Sequence, residues 1–112
     1  MVSPAGALHA DVIRINDRVI ATYNKIALET AIHNQGTIGA ELLAESSALR
    51  DAFQGYGALS VDRARHLDEV GGELVRAAIA TKSGDSMEVY AALMRAHGRI
   101  NSAIVDFMDK SA

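Results

Sequence analysis

Residues 85–109, DSMEVYAALMRAHGRINSAIVDFMD, constrain the fold more than any other stretch of this chain. Asp85 and Glu88 have the spacing of a capping box, in which an Asp oxygen accepts from the amide three residues on and the Glu reaches back. At 100° per residue, Tyr90, Leu93, Met94, Ile100, Ile104, Phe107 and Met108 share one arc, and Glu88, Arg95, Arg99, Ser102 and Asp106 share the other. The spacing predicts an amphipathic helix over 86–109. His97 and Asn101 fall near the centre of the apolar arc, at the i,i+4 separation that lets side chains meet. Buried there, they need partners, because an unpaired buried polar group costs about 1–3 kcal/mol.

Three more helices follow from the same periodicity. Residues 1–7, with Ser3-Pro4 and Gly6, read as a flexible leader. From Leu8 the stripe is Leu8, Val12, Ile15, Val19 and Ile26, with Asn16, Tyr23 and Thr30 in the same arc, and His33-Asn34-Gln35-Gly36 resembles a helix end. This predicts a helix over 8–33. Thr37 is placed to cap a second helix over 38–54, with Ile38, Leu42, Leu49 and Phe53 inward and Glu45 on the edge of the inward arc. Gln54-Gly55-Tyr56-Gly57 ends it, and Ser60 with Asp62 starts a third over 61–82. That helix has Ala64, Leu67, Leu74, Val75, Ala78 and Ile79 inward, Asp62, His66, Glu69 and Glu73 outward, and Gly71 at the centre of the inward arc.

Four helices joined by short loops predict an all-α, up-and-down antiparallel four-helix bundle in a single domain over 8–112. The alternative is a long helical hairpin that dimerises. Antiparallel stacking at about 1.5 Å per residue brings Tyr23, Glu45, Gly71 and His97 to similar heights, with Asn16 near Asn101. Two readings of that alignment compete. In one, the polar side chains satisfy each other, Tyr23 with His97, His97 with Glu45 and Asn16 with Asn101, and fix the register of the bundle. In the other, Gly71 leaves a gap where Tyr23, Glu45, His97 and Asn101 hold a small ligand.

Composition narrows the function. The 11 basic residues are spread among 14 acidic ones for a net charge of −3, which argues against nucleic-acid binding. The absence of cysteine excludes disulfides, thiolate catalysis and cysteine-ligated zinc. No P-loop, dinucleotide fingerprint or nucleophile elbow is present, so no cofactor or catalytic residue is expected. His9 and His33 lie at opposite ends of one predicted helix, and Asp62, His66 and Glu69 are crowded by Arg63 and Arg65, so no metal is expected either. There is no signal-like leader and no run long enough to span a membrane, which points to a soluble, cytoplasmic protein, with secretion without a cleavable signal as the alternative. Leu28, Ile32 and Leu43 lie off the apolar stripes and form a candidate contact for a partner or a homodimer. The expected function is therefore a non-enzymatic interaction or regulatory module, with a small-molecule-binding bundle as the alternative.

Overall fold

The computed structural model describes residues 4–28 and 31–110. They form four helices: α1 (Pro4–Leu28), α2 (Ala31–Gly55), α3 (Val61–Ser83) and α4 (Ser86–Lys110). Each helix packs on the next in sequence, and α4 returns to α1, closing a four-helix bundle. Of the two diagonals, α2 lies close to α4, whereas α1 and α3 bring no pair of α-carbons within 8 Å among the described residues. No described helix is long and apolar enough to cross a membrane.

The stops that sequence predicts around α3 and α4 are used. The Ser60 hydroxyl accepts the Arg63 amide at 3.2 Å, and Asp85 Oδ1 accepts the Glu88 amide at 3.1 Å. Gly84 closes α3 at φ 73°, donating to the Ala80 and Thr81 carbonyls, a conformation that favours a residue without Cβ. The Glu88 half of the capping box is not formed as expected; its carboxylate accepts from Arg95 at 2.6 Å.

The first break falls elsewhere than expected. α1 begins at Pro4, where a missing amide proton costs nothing, and α2 already runs from Ala31. Thr37 is therefore not a cap, and Gly36 lies inside a helix without entering the left-handed region. An interior glycine costs about 1 kcal/mol, too little to stop a helix whose next turns bury Ile38 and Leu42 completely. Thr30 lies outside the described residues.

The stripes of α1 and α2 are the core: Leu8, Val12, Ile15, Val19, Ile26, Ile38, Leu42, Leu49 and Phe53 are all buried. α3 is turned by about a third of a revolution from its predicted face. It buries Arg63, Leu67, Val70, Glu73, Ala77 and Ala80, while Val75 and Ile79 are 59% and 62% exposed. The cause is pairing across the α3/α4 seam. Glu73 accepts from Arg95 at 2.7 Å and from Arg76 at 2.8 Å, Glu69 pairs with Arg99 at 2.6 Å, and Arg63 donates to Asp106 at 2.9 Å. Apolarity alone turns α3 one way; satisfying its buried charges turns it the other.

Candidate functional site

The side chains predicted to cluster separate into two seams. Tyr23 and His97 do meet, with ring centroids 4.9 Å apart and planes at 45°. Together with Asn16, Val19, Ile20 and Asn101 they line a groove of about 170 Å³ between α1 and α4. None of the predicted hydrogen bonds forms. Among the described residues the side chains of Asn16, Tyr23, His97 and Asn101 make no hydrogen bond, and Tyr23 and Asn101 are exposed. His97 is half-buried, and desolvation pushes its pKa down, so the ring is mainly neutral at neutral pH.

Glu45 lies on the other side of α1. It takes the shortest bond of the Thr22 hydroxyl, at 2.6 Å, and lines a groove of about 270 Å³ with Arg18, Lys25 and Glu41. The predicted height is right, because Thr22 precedes Tyr23; the direction is not, because consecutive helical residues point 100° apart. Thr22 is buried and faces α2, and Tyr23 faces α4. Gly71 is excluded from either group. It sits on α3, whose described backbone stays more than 8 Å from that of α1, and a Cβ added there would meet no atom within 4 Å. It neither packs against a helix nor opens a gap beside His97.

Glu45 is an energetic liability. It is 4% exposed, and its Oε1 has no hydrogen-bond partner. Desolvation raises its pKa from 4.5, an effect opposed by the Thr22 bond and reinforced by Glu41. A carboxyl group with a raised folded-state pKa contributes its stability below the unfolded value and loses it as pH rises through the folded value. Glu45→Met keeps the shape and leaves Thr22 its bond to the Arg18 carbonyl at 3.0 Å. We expect it to stabilise the bundle by about 1–2 kcal/mol near pH 8, with the gain shrinking towards pH 4.5. Thermal melts of both proteins across that range check this; a gain independent of pH would contradict the assignment.

The α1/α4 seam differs from the other three in its charge. Lys25–Glu41 at 2.6 Å joins α1 to α2, and Arg50–Asp68 joins α2 to α3. Arg63–Asp106, Glu69–Arg99 and Glu73–Arg95 join α3 to α4. Among the described residues no ion pair joins α1 to α4. Its outer rim is apolar instead: Ile13, Ile20, Tyr23, Tyr90 and Val105 are all between 40% and 50% exposed. Sequence carries a signal for it, since Ile13, Asn16, Ile20, Tyr23 and Ala27 form an uncharged stripe at three- and four-residue spacing beside the core stripe.

The residues expected to make a contact are less concentrated. Leu28 is 85% exposed at the end of α1. Leu43 is also exposed, one turn from Gly39, whose α-carbon faces Leu74 of α3. The side chain of Ile32 lies outside the described residues. Among the described residues no three metal-ligating side chains converge. Comparison with protein-family models, with curated proteins and with solved structures found no match.

Proposed function

We propose that this chain is a non-enzymatic interaction module, a cytoplasmic helical bundle that works by self-association. One observation carries the reading: of the four seams between helices that are neighbours round the bundle, the α1/α4 seam lacks an interhelical ion pair among the described residues, and its rim is apolar and exposed. Scattered exposed apolar side chains are ordinary, but a contiguous uncharged strip over two adjacent helices is a feature of surfaces that are covered. Size-exclusion chromatography with light scattering tests the reading. The expected mass at high micromolar concentration is twice the 11.9 kDa of the chain, and a mass of 11.9 kDa up to millimolar concentration would overturn it.

The groove by Tyr23, His97 and Asn101 supports a second reading, a small-ligand site, because its polar groups are uncommitted. Its volume of about 170 Å³ is below the ~300–1,000 Å³ of ordinary ligand pockets, which favours the interaction reading.

A further inference from the structure

We propose that the surface used is the α1/α4 face and that its occupant is a second copy of this chain, related by a two-fold axis near Tyr23 and His97. The proposal rests on the self-association reading and specifies where it acts.

Charge is the first argument. The four charged residues of α4 between residues 87 and 107 form one ladder on the α3 side: Glu88 holds Arg95, Arg95 holds Glu73, Arg99 holds Glu69 and Asp106 holds Arg63. On α1, Arg18 and Lys25 line the groove shared with α2. None of the side chains lining the groove between these flanks is charged, and Asp17, one turn from Ile13 and Ile20, stands on the solvent side of the strip, so a charged partner would gain little from the groove itself.

Hydrogen bonding is the second. Asn16, Tyr23, His97 and Asn101 are uncommitted, and covering them without partners would leave desolvated polar groups unsatisfied. An amide, a phenol and a neutral imidazole each both donate and accept, so the same four groups on a second copy complement them. A two-fold interface requires that self-complementarity. Gly98 adds room: a Cβ there would meet no atom within 4 Å, so the α4 backbone is open to close approach.

Area is the third. The strip spans roughly 25–30 Å of helix and two helix widths, on the order of 500–600 Å² per copy. Two such faces bury about 1,000–1,200 Å², where specific interfaces begin.

The test uses the whole chain. Ile20→Asp places a charge in the face twice per dimer, and we expect the dimer dissociation constant by analytical ultracentrifugation to rise at least ~30-fold with helical content unchanged. Leu28→Asp, on the exposed end of α1, should leave it unchanged. Because the chain has no cysteine, Asn101→Cys and Leu28→Cys provide an independent readout: oxidation should give a covalent dimer for the first and not the second. A dimer weakened by Leu28→Asp but not by Ile20→Asp, or cross-linked at residue 28 and not at 101, overturns this face while self-association stands. A dimer indifferent to all four changes does the same. A monomeric wild type removes both.

Discussion

Phe53→Ala is expected to cost about 3–5 kcal/mol of unfolding free energy, the largest effect of any single truncation considered for this protein. Phe53 is completely buried, its ring centroid lies 5.4 Å from that of Phe107, and it closes the end of the bundle where α2 turns into α3. Alanine there leaves a void that Phe107 and Leu49 can collapse into only in part. At about 4 °C per kcal/mol for a domain of this length, the melting temperature should fall by roughly 12–20 °C. A fall of only a few degrees would mean that this end of the bundle repacks freely.

Arg63→Ala should cost about 2–4 kcal/mol, on the scale of breaking a mostly buried ion pair. Arg63 is 9% exposed and holds three things together. Its Nε donates to Asp106 of α4 at 2.9 Å, its Nη1 donates to the Ala58 carbonyl in the α2–α3 loop at 2.7 Å, and its guanidinium lies 5.4 Å from the ring centroids of both Phe53 and Phe107. Removing it leaves the Ala58 carbonyl only the Ser60 amide, at 3.1 Å, and Asp106 only Lys110, at 2.8 Å. Because the guanidinium covers the Phe53 ring, the two losses overlap. The double variant should cost less than the sum of the singles by about 0.5–1.5 kcal/mol. Urea unfolding of the four proteins measures this, and strict additivity would show that the ring contact contributes nothing.

Most of the architecture is legible in the residues. Helix number follows from period 3.6 and from punctuation with a mechanism, such as Ser60 and Asp85, whose predicted cap geometry is present. The apolar stripes of α1 and α2 are also legible, because Leu, Val, Ile and Phe dominate them and no other face competes. On α4 the stripe that periodicity predicts lies one flank away from the true centre of the buried face. The core side includes Ala92, Ala96 and Ala103, and alanine is small enough to belong to either side of a helix, so periodicity gives it little weight. That shift moves His97 and Asn101 from the expected core to the rim of a groove.

The candidate site divides along the same line. Heights along the bundle depend only on rise per residue and on where the chain turns, so Tyr23 beside His97 and the Thr22–Tyr23 turn beside Glu45 could be foreseen within a helical turn. Azimuth depends on which neighbour each flank meets, and a single chain does not encode that locally. Residues 85–109 by themselves determine a capped amphipathic helix, because hydrogen bonding and periodicity are local. Only the tertiary structure decides that the charges of that helix are consumed against α3 and that its other flank is left uncharged, because ion pairing across a seam selects the rotation of both helices at once.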